Sequence, residues 1–561
     1  MKSNYIFSIA RVLTIALLLL MGQSCKNVLD ETVISSIGND YINTPKGFED
    51  ASRAAYASLR IYYGTEAGLT MSEYGTDLFR AGADGSYKGF HFYDSQLTSF
   101  VDILQAVWEE LYKGINTCNA VIGRAPTSTV PDATKKLRVA EMKFLRAHYY
   151  FILVQQWGPV DLRLTETLTP TKTTSRASEV DIYKSIIADL QAALPDLPTV
   201  RYSAQANSDY GRATKAAAEH LLAKVYLTKA TSSAKAADDY TNAVTYATNV
   251  ITNYGFKLLP DFASVFSQGA GEISDEVIFS VQYTSDPLTD DQGNSLHLYF
   301  GMQYDVQPGM VRDVLNGRPF KRLRPTTYLT DVLFQDRVND SRYKKTFKDT
   351  WLSNNPGTFN SSFDQSKTQV TFKAGDTTIY IPGVEWTLAQ RAAKPYQVLV
   401  PSAYTAALFP TLQKFLDPLR PDKTYTAGSR DYLAFRLAET YLILAEAQFN
   451  LGKTTEAAAA INAVRVRAAN PGKTAAMTIG AADVTMNFIM EERGRELAGE
   501  QTRWLDLKRW GNLVDRVKAY NPDGAANVKP TNLLRPIPQT QIDRTDKAAD
   551  GSPGFTQNPG Y

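Results

Sequence analysis

The stretch RLAETYLILAEAQFNLGKTTEAAAAINAVRVR at 436–467 constrains the fold of this chain more than any other. Its first half places Leu437, Tyr441, Leu444 and Ala445 on one helical face. Its second half places Ala457, Ala460, Ile461, Val464 and Ala468 at the spacing of a buried helical stripe. Asn450 to Lys453, with Gly452, end one helix and start the next. Leu444 and Ala445 facing Ala457 and Ile461 fit the contact pattern of a tetratricopeptide hairpin. Such a hairpin cannot bury its own faces, so further hairpins must stack on it.

Other helical stripes follow the same period. Residues 45–62 carry Phe48, Ala51, Ala55 and Leu59, and 101–122 form another helix. The run at 137–158 has one stripe of Leu137, Ala140, Phe144, Ala147, Phe151 and Val154, and a second of Leu145, Tyr149 and Ile152, which predicts burial from two sides. Ser178, with Asp181 three residues on, reads as the N-cap of a helix reaching 194. A second hairpin spans 213–229 and 240–251, and helices resume at 484–519. Between 255 and 430 prolines, glycines and aromatics are frequent, β-like runs occur at 276–283, 369–372 and 378–381, and long helices are absent. The expected fold is mainly α: a tetratricopeptide-like right-handed helical superhelix of about four helix pairs, over roughly 45–255 and 430–520, with a loop-rich insertion containing short strands at roughly 255–430.

At the N-terminus, Lys2 and Arg11 precede an apolar run at 12–21 that is too short to span a bilayer and suits a secretory leader. Gly22, Gln23 and Ser24 then lead to Cys25. This reads as a lipoprotein signal peptide over 1–24, with Cys25 acylated and 25–44 serving as a tether, although Gly22 stands where the commonest lipobox has leucine. Cys118 is the other cysteine, so one mature chain has no disulfide framework. Once Lys2 and Arg11 are removed, basic and acidic residues balance, and nothing electrostatic points to nucleic acid.

Catalytic and metal-binding patterns are missing from the sequence. His91, His148, His220 and His297 are scattered with no HExxH spacing, and neither a G-x-S-x-G elbow nor a phosphate loop occurs. Asp286, Asp290, Asp291 and Asn294 beside Gly293 offer oxygen donors to Ca²⁺, but the spacing fails the EF-hand pattern, and a solvated loop is the plainer reading. Glu491–Arg495, Arg503–Asp506 and Asp506–Arg509 read as ordinary helix-surface pairs. Trp157, Trp504 and Trp510 read as packing residues.

Binding candidates lie in the irregular segments. Residues 73–97 place Tyr74, Phe79, Tyr87, Phe90, Phe92 and Tyr93 among Asp77, Arg80, Asp84, Lys88 and Asp94. A sugar ring has an apolar C–H face and hydroxyl edges, so its site needs an aromatic platform with carboxylate or guanidinium partners at the rim. Half of these aromatics are expected to be packing instead. Tyr283, Tyr299, Tyr304, Trp351 and Trp386 form a second set in the insertion, with Trp351, followed by Ser353 and Asn354, read as the better platform.

Five segments together resemble the SusD/RagB family: CKNVLD (25–30), FLRAHYYFILVQQWGPVDL (144–162), RLAETYLILAEA (436–447), IMEERGRELAGEQTRWLDLKRWG (489–511), and LRPIPQTQID with the QNPGY ending (534–561). The resemblance spans the mature chain, with a SusD-like domain over 45–561. It implies a lipid-anchored outer-membrane protein facing the cell exterior, which binds an oligosaccharide without chemical change and acts as the lid of a SusC-like TonB-dependent transporter. It implies no enzyme activity and no cofactor. Asp77, in Gly-Thr-Asp, matches a recurrent family position. The expected ligand contacts are Tyr74, Asp77, Phe79, Tyr87, Phe92, Tyr93, Tyr283, Tyr304, Trp351 and Trp386. Three rivals remain at this point: a peptide-binding member of the same family, a scaffold lipoprotein with no small ligand, and a surface glycoside hydrolase, which needs two carboxylates about 5–10 Å apart across a cleft.

Overall fold

The computed structural model describes residues 39–206, 209–286, 288–289, 292–361 and 368–561. The leader, Cys25 and most of the tether therefore lie outside the described residues. The principal helices are α1 Pro45–Ala57, α2 Asp102–Arg124, α3 Asp132–Trp157, α4 Glu179–Ala193, α5 Lys215–Lys229, α6 Asp239–Asn253, α7 Leu437–Asn450, α8 Thr454–Ala468, α9 Met486–Leu497, α10 Arg503–Arg509 and α11 Leu513–Tyr520. Helices α2 with α3, α3 with α4, α5 with α6, and α7 with α8 pack as neighbours, and α6 also packs on α7. The stacking that the 436–467 hairpin requires is thus supplied by the earlier pairs. Ser178 caps α4, its side chain accepting from the Asp181 N–H at 3.1 Å. Helix α3 goes beyond its two stripes: every residue from Phe144 to Trp157 is buried. Burying Arg146 there is tolerated because Asp189 of α4 takes its guanidinium at 2.8 and 2.7 Å. No helix among the described residues is long and apolar enough to cross a membrane.

Seven strands matter to the insertion: β1 Phe79–Ala81, β2 Val277–Val281, β3 Leu323–Pro325, β4 Thr350–Leu352, β5 Thr377–Tyr380, β6 Gln397–Val398 and β7 Tyr432–Arg436. Antiparallel pairing of β2 with β7 joins the two ends of the insertion where it leaves and rejoins the helices. Strands β4, β5 and β6 form a small sheet over a core of their own, made of Met302, Tyr304, Met310, Trp351, Ile379, Ile381, Leu399 and Phe409. Strand β1 pairs with β3, tying the 73–97 segment to the insertion. A short helix, Glu66–Ser72, precedes that segment and another, Lys88–Phe92, lies within it; periodicity indicated neither.

The charged helix α9 departs from its expected role. Glu491–Arg495 is a peripheral pair at 3.7 Å, but Glu492 and Glu496 are fully buried. Glu496 accepts from Arg436 at 2.7 Å, from Arg342 at 3.0 Å and from Arg467. Glu492 takes Arg342 at 2.8 Å, Arg465 at 3.0 Å and Arg495 at 2.9 Å. Apart from the local Glu492–Arg495 contact within α9, these are long-range pairs that knit the start of α7, α8, α9 and the insertion together. Arg503 likewise reaches Asp77 at 2.7 Å rather than Asp506, although the Asp506–Arg509 pair forms at 2.9 Å.

This network sets an expected pH profile of stability. Burial raises the Glu496 carboxyl, but the guanidiniums of Arg467, Arg436 and Arg342 outweigh it and hold the group down at about 2. Glu492 is held low by the same balance with Arg342, Arg495 and Arg465. A depressed folded value means stability that is complete above the unfolded value of about 4.3 and is lost as pH falls through the folded one. Burial pushes Glu73 up to about 8 and Asp431 up to about 7, so these groups erode stability as pH rises from about 4 towards those values. The urea midpoint is expected to be highest near pH 5 (roughly where the two trends cross) and to fall on both sides. A flat profile between about pH 3 and 8 contradicts this assignment.

Candidate functional site

One part of the loop-rich surface, the ribbon of β1 and β3 and its surroundings, combines partly exposed rings with polar partners. The ribbon of β1 and β3 continues past its ladder: Gly82 N–H bonds to Arg322 O at 2.9 Å and Asp84 N–H to Lys321 O at 3.3 Å. Glycine is required at 82, since a Cβ there falls 2.0 Å from the Lys321 carbonyl oxygen. The ribbon is strained beyond one end, where β1 leaves it and β3 enters. Tyr87 and Lys321 hold φ of 62° and 49°, two of four non-glycine residues with positive φ among the described residues. Such conformations cost of order 1–3 kcal/mol each and gather at functional positions.

Half-buried Tyr87 and Phe320 are the rings of this site: Phe320 lies against Tyr299 and Arg322, and Tyr87 is within electrostatic reach of the same two residues. Two guanidiniums stand close to the Phe320 ring, Arg318 at 5.2 Å and Arg322 at 5.4 Å from its centroid. Tyr299, edge-on to Phe320 at 6.3 Å, backs it from the core, with its hydroxyl 2.8 Å from Ser295 Oγ. The rim is ionic. Arg322 is ion-paired with Glu66 at 3.0 Å and Lys321 with Asp84 at 2.9 Å, and Arg80 donates to Asp523 through Nε at 3.1 Å. Burial, then the Asp102 and Glu66 carboxylates, push the Tyr87 hydroxyl up to about 12, so it stays a donor at any physiological pH.

Residues 275–561 match the model of the SusD family, and residues 63–227 match a model described as starch-binding, associating with outer membrane. The chain belongs to the SusD family. It is 25% identical to SusD-like protein P2 of Formosa agariphila, over 97% of this chain and 99% of that protein. It is 32% identical to a SusD-like protein of Bacteroides ovatus over 178 residues, covering 30% of this chain and 31% of that protein. Among solved structures, a SusD homolog from Bacteroides thetaiotaomicron superposes with a TM-score of 0.72 at 22% identity, covering 93% of this chain and 98% of that one. A laminarin-binding SusD-like protein gives 0.68 at 23% identity, covering 92% and 100%. At these identities the structural matches establish the SusD-family fold.

Within this SusD-family fold most of the expected ligand contacts are interior. Tyr74 is 1% exposed and stacks on His91 at 4.0 Å. Asp77 is fully buried between Arg503 and Arg516, and Phe79 fully buried against Phe300. Tyr93 donates to Gly75 O, and Tyr283 donates to Tyr63 O from an interior position. Tyr304 donates to Gly317 O, and Trp351 is 1% exposed in the insertion's core. These seven are corrections: a ring or carboxylate sealed against protein offers no face to a ligand. Tyr87, Phe92 and Trp386 keep exposed surface. Trp386 belongs to a second group, with Tyr380 at 5.8 Å and Lys394 over its ring at 5.7 Å. The 401–408 segment touches both groups, through Ser402 N–H to Glu385 at 2.6 Å and Ala406 O to the Ala83 N–H at 2.8 Å.

Sequence reading passed over Arg318, Phe320, Lys321, Arg322 and Arg324. The signal was present in RPFKRLRP at 318–325, four cations around one ring between two prolines. Of the Ca²⁺ candidates, Asp290 and Asp291 lie outside the described residues, and Asn294 is buried with its side chain bonded to Arg430 O and Leu296 N–H. No group of three or more His, Cys, Asp or Glu among the described residues is placed to hold a metal ion. A cavity of about 430 Å³ between α2 and the 161–174 segment holds none of the expected contacts. Its polar groups bond one another (Asn116 with Thr167, Arg163 with Asp161), and it has Tyr112 as its sole ring, so it lacks the platform chemistry of the Tyr87–Phe320 surface.

Proposed function

We propose that this chain captures an oligosaccharide at the cell surface and passes it unchanged to a SusC-like TonB-dependent transporter, over which it sits as a lid. In this reading Cys25 carries the lipid that anchors the protein to the outside of the outer membrane, and binding needs no cofactor. The observation that carries it is the Tyr87–Phe320 surface: two partly exposed rings from segments far apart in sequence, backed by Tyr299 and rimmed by guanidinium, ammonium and carboxylate groups. Rings of this kind take the C–H face of a sugar, and the rim takes its hydroxyls. Membership of the SusD family supports the reading, as do the names of fold relatives described as laminarin-binding and as surface glycan-binding. The transporter and the lid role rest on family membership alone.

Phe320→Ala and Tyr87→Ala are each expected to weaken glycan binding roughly 5- to 150-fold, the range of about 1–3 kcal/mol for a stacking platform. Calorimetry against a panel of oligosaccharides and short peptides checks this. Peptide binding in place of glycan binding, or affinities unaltered by both variants, defeats the assignment. Recovery of a TonB-dependent transporter on gentle extraction of the full-length protein is the expected result for the partner.

A further inference from the structure

The charges on the β1–β3 ribbon do not balance. Six cations gather on it, Arg80, Lys88, Arg318, Lys321, Arg322 and Arg324, facing four carboxylates: Glu66, Asp84, Asp523 and the Asp102 beside Tyr87. Three cations are taken by Asp523, Asp84 and Glu66. Among the described residues, the hydrogen bonds of the other three go to main-chain carbonyls. Lys88 donates to Gly82 O and Asp84 O, both at 2.9 Å, Arg324 to Ala81 O at 3.0 Å, and Arg318 to Thr424 O at 2.9 Å. Moreover, Arg80 and Arg324 are direct cross-strand partners, an arrangement that like charges make unfavourable. Burial and the Arg322 and Arg324 guanidiniums pull the Lys88 ammonium down against Asp523 and Asp84, and burial with Arg80 does the same to Arg324.

We propose that the oligosaccharide bound here is acidic, with its anionic groups received by Lys88 and Arg324 beside the Tyr87 and Phe320 rings. This rests on the glycan-binding reading and names its ligand class. Half-buried cations whose hydrogen bonds go to carbonyls keep hydrogen-bond donors and charge for an incoming anion, and that anion also relieves the Arg80–Arg324 repulsion. A neutral sugar relieves nothing. The shared ligand chemistry is a negatively charged oxygen group, a uronate carboxylate or a sulfate ester.

The test is calorimetry of the full-length protein with three probes: oligogalacturonate, a sulfated galactan oligosaccharide and neutral laminari-oligosaccharide. An acidic probe is expected to bind at least about tenfold tighter than the neutral one at low salt, the two acidic arms telling carboxylate from sulfate, and to weaken steeply as NaCl is raised. Lys88→Gln and Arg324→Gln, which keep donors for the carbonyls but remove the charge, are each expected to lose about tenfold in affinity for that probe. Circular dichroism melting confirms that the variants are folded, and Arg324→Lys, retaining charge, is expected to recover part of the loss. Preference for the neutral probe without salt dependence overturns the acidic assignment and leaves the glycan reading standing. Absence of binding to all three, with binding to a peptide instead, overturns both.

Discussion

Arg342→Met is expected to destabilise the protein by about 3–5 kcal/mol, among the largest losses a single side chain here can produce. Arg342 is fully buried on the short helix Arg342–Thr346 of the insertion. Its guanidinium reaches Asp340 through Nη2 at 2.7 Å and Nε at 3.0 Å, and Nη1 bridges Glu492 at 2.8 Å and Glu496 at 3.0 Å on α9. A single fork therefore joins the insertion to the C-terminal scaffold. Removing it leaves Asp340 buried with its main partner gone, and Glu492 and Glu496 each short of one. The loss is mostly the cost of those stranded charges, since whole buried clusters exchanged for apolar residues are often neutral. Arg342→Lys restores charge but not the planar fork and is expected to fall between wild type and methionine. Urea unfolding at pH 7 measures both; a shift below about 1 kcal/mol for methionine means that water reaches the network.

The helical scaffold was readable because its signal is local. A stripe at a 3.6-residue period marks a buried face wherever it occurs, and the Ser178 cap and the Gly452 turn mark ends within a few residues. What the stripe faces is not local. Arg503 looked like one half of a surface pair with Asp506 because the two are three residues apart on one helix, yet its partner Asp77 comes from a segment more than four hundred residues earlier. Asp77 looked like a ligand carboxylate, but Arg503 and Arg516 from α10 and α11 close over it. The same limit governed the site. Of the rings in 73–97, Tyr87 at the head of the Lys88–Phe92 helix stays partly exposed, while Tyr74 is covered by His91. Phe320 was legible in composition and overlooked because no helical or strand period surrounds it.

Trp351→Ala separates packing from binding most sharply. The residue stands in β4, where it pairs with Ile379 of β5 while its neighbour Leu352 points out at 53% exposure. The polar Ser353 and Asn354 that follow it gave the appearance of an exposed platform, but strand alternation turns the tryptophan inward. It is the largest side chain of the insertion's small core, packed with Met302, Tyr304, Ile379 and Phe409. Truncation is expected to cost about 3–5 kcal/mol, from lost burial plus the cavity left behind. That core is distinct from the helical one, so the loss should appear first as local opening: proteolysis within 302–409 at lower urea than cleavage of the helices. Below that transition the Tyr87–Phe320 surface stays assembled, since β1 and β3 pair outside this sheet, and glycan affinity is expected to remain within about threefold of wild type. Phe320→Ala should behave oppositely, losing affinity with little change in stability, because its ring is only half-buried. A tenfold or greater loss of affinity in Trp351→Ala without loss of stability would return Trp351 to the ligand and displace the surface assigned here.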